Sequence, residues 1–223
     1  MTFMEGILRQ NKPIWDKCIA TKFVQDMKNG KLPIEDFKEY IVQDSIYLKN
    51  YARIYGKAIY HSSSLKDIQV YYSILSLVTK EESAVRLSYL KRFGLSDDDI
   101  EDMEPLPENQ RYIDFLMEVA EGGKIPEIWM AVLPCMLSYS YIFRKIEKIP
   151  GTSRSKYYDF IQDYAEDMYF ENCKSWCCFA EQKCRDLEAE EQERLGRIFE
   201  RASMLELDFW RMAYRESREE TDI

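Results

Sequence analysis

Apolar residues recur at spacings of three and four along almost the whole chain, and little interrupts them. Only 8 Gly and 7 Pro residues are spread over 223 positions. Such spacing gathers side chains on one face of an α-helix, whereas a half-buried strand needs strict alternation. The breaks stand at Asn29-Gly30 before Pro33, Ser62 to Ser64, Gly94 before a Ser96-to-Asp99 capping-box pattern, Gly122-Gly123 before Pro126, and Pro150-Gly151. Helices are therefore expected near residues 3–28, 34–60, 66–93, 108–121, 126–148, 153–185 (with an interruption) and 190–217, with a short helical turn after Ser96. No segment alternates well enough to be a strand, and no linker-like stretch divides the chain. The expectation is an all-α, single-domain helical bundle over residues 1–223.

The 11 Phe, 16 Tyr, 4 Trp and 10 Met residues give ample volume for a core. With 31 basic against 40 acidic residues the net charge is −9, which disfavours nucleic acid and anionic membranes as partners. The densest Lys/Arg clusters are interleaved with acids, so no basic patch is expected. The longest uncharged stretch, Ile128 to Phe143, has 16 residues, short of the roughly 20 that span a bilayer. Nothing near the N-terminus reads as a secretory signal, and cytoplasm is the expected compartment. The six cysteines then read as reduced thiols.

Polar residues stand out where the helical pattern demands apolar ones. Phe37, Tyr40, Ile41, Asp44, Tyr47, Leu48, Tyr51 and Tyr55 share one face, with Asp44 in the middle. A carboxylate facing a core is costly unless paired, so Asp44 is either an acceptor for a buried tyrosine or a functional group. In the last helix Glu206 interrupts Leu195, Ile198, Phe199, Ala202, Phe209, Trp210 and Ala213 in the same way. Two inward acids on separate helices are suited to proton transfer in a bundle core.

Cys135 follows Pro134 in the uncharged helix, on a face with Ile128, Val132, Met136, Tyr139, Ile142 and Phe143. On its own it reads as a packing cysteine as readily as a reactive one. Glu82 is expected to pair at the surface with its charged neighbours. Cys173, Cys177, Cys178 and Cys184 match no common zinc spacing, so no metal is expected. His61 is the only histidine and suits a helix end.

Several motifs then resemble one family in order along the chain. Leu32-Pro33, Phe37, Tyr40 and Gln43-Asp44-Ser45-Ile46-Tyr47-Leu48 resemble a signature of the TenA-like thiaminase II (aminopyrimidine aminohydrolase) proteins. Leu133-Pro134-Cys135 resembles the Pro-Cys element of the family's cysteine-containing branch, and Glu206-x-x-Phe209-Trp210 with Met212-Ala213-Tyr214 resembles its C-terminal signature.

The resemblance implies a haem-oxygenase-like bundle without haem or other cofactor, commonly a homotetramer. It implies hydrolysis of thiamin or of 4-amino-5-aminomethyl-2-methylpyrimidine to the hydroxymethylpyrimidine used in thiamin salvage. In that scheme Cys135 is the nucleophile, Glu206 shuttles a proton and Asp44 orients the ring, with Tyr47, Tyr112, Tyr139 and Tyr164 as substrate-binding tyrosines. Two departures from the family's pattern are Arg86, where a relative carries histidine, and Tyr51, where phenylalanine is usual. A non-catalytic pyrimidine-binding or regulatory member of the same fold is the alternative. An oxygenase on the same bundle would require His61 as the haem ligand.

Overall fold

The structure, a computed structural model, describes residues 1–76 and 82–214, apart from the side chains of Glu82, Ser83 and Asp97. The expected role of Glu82 and the expected helical residues 77–81 and 215–217 lie outside these. Among the described residues there are eleven α-helices and no strand: α1 Phe3–Ala20, α2 Lys22–Lys28, α3 Ile34–His61, α4 Leu65–Ser76, α5 Glu82–Arg92, α6 Asp97–Glu101, α7 Pro107–Glu121, α8 Ile125–Glu147, α9 Tyr158–Ala165, α10 Asp167–Cys184 and α11 Ala189–Met212. A 3-10 turn at Thr152–Arg154 precedes α9.

The helix ends follow local chemistry. The Ser96–Asp99 capping box forms as expected: Ser96 Oγ accepts from the Asp99 amide at 3.3 Å and Asp99 Oδ2 accepts from the Ser96 amide at 2.7 Å. One break departs from the expected boundaries, and a second gives the place of the expected interruption. Residues 3–28 divide at Thr21, which turns extended and donates its hydroxyl to the Cys18 carbonyl at 2.7 Å. The long helix after residue 153 divides at Glu166, also extended. Neither place has Gly or Pro, the residues on which the sequence reading of breaks relied. His61 ends α3, exposed as expected, against Gly123. Gly123 has φ +70, and a Cβ there would stand 3.0 Å from the imidazole, so both backbone and space require glycine.

The described residues form two compact units, one from 1–32 and 129–214 and the other within Pro33–Ile128. In the first, Trp15 of α1 packs on Tyr141 of α8 and Phe199 of α11, with ring centroids 5.6 and 6.1 Å away, and its indole donates to Ser203 Oγ at 3.3 Å. Trp210 of α11 packs on Phe23, Tyr139 and Phe143. Most of α8 is buried, on more than the single face its spacing suggested, although its length and composition alone would suit a membrane span. Pro134 lies inside it without ending the helix.

In the second unit α3 is the central element. Phe37 meets Tyr89 of α5 edge-on at 4.8 Å, Tyr47 meets Tyr112 of α7 at 4.9 Å and Tyr55 meets Tyr71 of α4 at 6.1 Å. One polar residue fixes α3 to the start of α7. Gln43 Oε1 accepts from the Leu106 amide at 2.8 Å and from Asn109 Nδ2 at 2.9 Å, and Asn109 also donates to the Gln43 carbonyl at 2.8 Å. Asn109 is fully buried, so these bonds are shielded from water.

Gln43→Ala leaves the Leu106 amide and part of the Asn109 amide without an acceptor. The expected cost is about 2 kcal/mol, read in thermal unfolding as a melting temperature lower by roughly 4–8 °C. An unchanged melting temperature would mean that water replaces the Gln43 side chain without loss.

Candidate active site

Asp44 is where the helical spacing put it. Its neighbours on the α3 face, Tyr40, Ile41, Tyr47 and Tyr51, are all buried, and Asp44 itself is 5% exposed. Its Oδ2 has no hydrogen-bond partner among the described residues, and no tyrosine hydroxyl is donated to it there. The reading of Asp44 as a structural acceptor for tyrosine therefore finds no donor. Burial pushes its carboxyl up to about 7, against an opposing pull from the Arg86 guanidinium. Arg86 Nη1 also donates to Ser45 Oγ at 2.8 Å, and Ser45 in turn donates to the Ile41 carbonyl at 2.7 Å. A residue noted in the sequence only as a departure thus supplies the positive field at Asp44.

Aromatic rings continue from the carboxyl along α3. Tyr47 stacks on Tyr51 at 5.3 Å and lies 4.9 Å from Tyr112, so two of the expected binding tyrosines are in contact. The second departure, Tyr51, has its own partner: its hydroxyl accepts from that of Tyr55 at 3.2 Å.

The other four candidates belong to the unit that contains α8 and α11. Cys135 is a half-buried thiol, in no disulfide, one helical turn before Tyr139. The preceding Pro134 lacks an N–H and cannot serve the carbonyl of Met130, while Ser138 Oγ donates to the Cys135 carbonyl at 3.3 Å. Tyr139 meets Tyr164 of α9 edge-on at 4.9 Å and Trp210 of α11 at 5.0 Å. The apolar stripe of the last helix places Trp210 in the core, and the structure makes it the ring that joins α11 to Tyr139.

Glu206 lies one turn before Trp210 and is 2% exposed, as its place in the apolar stripe required. Burial pushes the Cys18 thiol upward, and the nearby charge of Glu206 pushes it further the same way. Cys18 is thereby held as a neutral thiol. The structure thus brings Tyr47 to Tyr112 and Tyr139 to Tyr164, and it buries both acids. Sequence reasoning missed the fixing role of Gln43, whose only signal was an amide beside Asp44 on the buried helix.

The family model described as TENA/THI-4/PQQC matches residues 8–216. The aminopyrimidine aminohydrolase of Halalkalibacterium halodurans is 30% identical over 217 residues, covering 97% of each chain. A TenA homologue protein from P. horikoshii OT3 superposes with a TM-score of 0.85 at 26% identity, covering 96% of this chain and 99% of that one. A domain from Shewanella denitrificans OS217 with a heme oxygenase-like fold superposes with a TM-score of 0.71 at 14% identity, covering 97% and 94%, a likeness of fold alone.

The raised Asp44 carboxyl gives a stability signature. Between its ordinary value of 3.8 and about 7 the folded chain holds a proton that the unfolded chain has released. Asp44 therefore lowers stability as pH rises through that window, and its effect levels off above it. Asp44→Asn, neutral throughout, should match the native chain at pH 4 and exceed it at pH 8 by at most about 4 kcal/mol, at about 1.4 kcal/mol per pKa unit. Urea unfolding at pH 4, 6 and 8 measures the difference; a pH-independent one would show that Asp44 ionises normally.

Proposed function

The chain belongs to the TENA/THI-4/PQQC family, and from that premise we propose that it hydrolyses the C–N bond joining an aminopyrimidine's exocyclic methylene to its leaving group. The substrate is 4-amino-5-aminomethyl-2-methylpyrimidine, with thiamin as a second candidate, and the product is the corresponding 5-hydroxymethyl compound. The observation that carries the reading is Asp44, a buried carboxyl without a hydrogen-bond donor among the described residues. An aminopyrimidine offers an amino donor beside a ring-nitrogen acceptor. A carboxyl group whose pKa lies near 7 matches that pair with one accepting and one donating oxygen. The near-full-length relation to the Halalkalibacterium halodurans aminopyrimidine aminohydrolase supports the same substrate class.

In this reading the Cys135 thiolate adds to the electron-poor ring, and Glu206 delivers a proton to the departing amine. The C–N bond breaks and releases ammonia, or the thiazole when thiamin reacts. Water then adds to the exocyclic methylene, its proton returns to Glu206, and the ring expels Cys135. The net change is one water consumed and one amine released. Asp44 holds the ring by its nitrogens, and Tyr47, Tyr112, Tyr139 and Tyr164 supply aromatic surface and hydroxyls for it. The homotetramer and a cytoplasmic location rest on the family resemblance and the sequence; sedimentation of the purified chain tests the first.

The test is release of the hydroxymethylpyrimidine from each compound, measured by chromatography. The native chain should release it. Cys135→Ser and Glu206→Gln should each lower kcat by at least roughly a hundredfold. No release from either compound would overturn the reading in favour of a binding or regulatory member. Release that survives Cys135→Ser would remove the nucleophile.

A further inference from the structure

The unit built on α1, α8 and α10 contains a cavity of about 730 Å³, and none of the seven candidate residues lines it. The volume is that of a site for a small organic molecule. Leu8 and Trp15 of α1, Leu137 of α8 and Phe170 of α10 form apolar walls. Cys173, Cys177 and Cys178 complete the α10 side, which accounts for three of the four clustered cysteines noted in the sequence. Burial pushes the Cys177 thiol up to about 12, so it behaves as apolar lining rather than as a nucleophile.

The charge on this cavity departs from the sequence expectation. Lys12, Arg144, Lys145, Lys148 and Lys174 line it and no acidic side chain does, in a chain of net charge −9. Three of these cations are engaged: Arg144 with Asp167 at 2.9 Å, Lys145 with Asp16 at 2.8 Å and Lys174 with Glu171 at 2.7 Å. Arg144 and Lys174 also lie over the Phe170 ring, 4.4 and 4.5 Å from its centroid. Lys12 and Lys148 form no ion pair among the described residues.

A second observation points to a ligand independently of charge. Ser140 lines the cavity and is 4% exposed, yet its Oγ has no hydrogen-bond partner among the described residues. Buried hydroxyls are nearly always bonded, so one left over in the wall of a cavity awaits an acceptor.

We propose that this cavity is a second ligand site, separate from the hydrolytic residues, that takes an organic carboxylate with an apolar body. The body fills the space between Trp15, Leu137 and Phe170. Lys12 and Lys148 meet the carboxylate, and Ser140 donates to a ligand oxygen. α8 separates the functions: residues 137, 140, 141 and 144 share one face, while Cys135 and Tyr139 lie on the opposite one.

Titration calorimetry of the full chain with octanoate, and with 1-octanol as the uncharged counterpart, tests the proposal. Octanoate should bind once per chain and at least roughly tenfold more tightly than 1-octanol. Lys12→Gln with Lys148→Gln should weaken octanoate roughly threefold to tenfold and leave 1-octanol unchanged. Ser140→Ala should weaken octanoate without lowering the melting temperature, since it removes no bond from the empty protein. Bound octanoate should slow maleimide labelling of the exposed Cys178. Equal affinity for the two ligands, or indifference to the lysine variants, would overturn the proposal. So would displacement of octanoate by the aminopyrimidine, which would put it in the hydrolytic site. Stoichiometry below one per chain that rises as dilution dissociates an oligomer would assign this face to a second copy instead.

Discussion

Asp44 is a buried carboxyl whose Oδ2 has no hydrogen-bond donor among the described residues, and the arrangement of α3 can be understood from that constraint. Fully burying a large apolar side chain contributes about 1.5–3 kcal/mol, and the same helix face buries Phe37, Tyr40, Ile41, Tyr51 and Tyr55. That packing is what holds an unfavourable group in place. The adjacent Gln43 has the opposite environment, with its oxygen accepting from Leu106 and Asn109. Two neighbouring polar residues thus differ in role: the satisfied one fixes α3 against α7, and the unsatisfied one is the group proposed to meet the substrate. Arg86 moderates the burial of Asp44 through its field while its hydrogen bond goes to Ser45.

How much of this could be read from the chain depends on what each feature leaves in a pattern of threes and fours. Asp44 and Glu206 were visible because a charge in an apolar stripe has no ordinary explanation. The capping box at Ser96 was visible because its chemistry is local. The break at Thr21, and the place of the expected interruption at Glu166, were not, because ordinary residues adopt extended backbone there without marking it. Gln43 was legible as a motif residue but not as a bridge, since its partners lie more than sixty positions away. Tyr51 gives the same lesson: its hydroxyl answers to Tyr55, a relation that no comparison of types at one position contains.

The basic lining around Lys12 was hidden for a related reason. Along α8, Arg144 and Lys145 read as the ordinary charged end of a helix, and along α1 Lys12 reads as a solvated residue. Only packing of α1, α8 and α10 brings them to one cavity. Net charge and local clustering average over such a place, because both are one-dimensional measures of a three-dimensional field.

α8 connects these observations. A helix covered on one side shows an apolar stripe, whereas α8 is apolar nearly all round and most of it is buried. Its two faces therefore carry different demands. One presents Cys135 and Tyr139, with Tyr139 held by Tyr164 and Trp210; the other presents Leu137 and Ser140 to a cavity. Packing on both sides leaves a helix little freedom to shift, and reacting groups need placement to within a fraction of an ångström. The proposed nucleophile Cys135 stands in the middle of such a helix rather than on a loop, as that requirement asks.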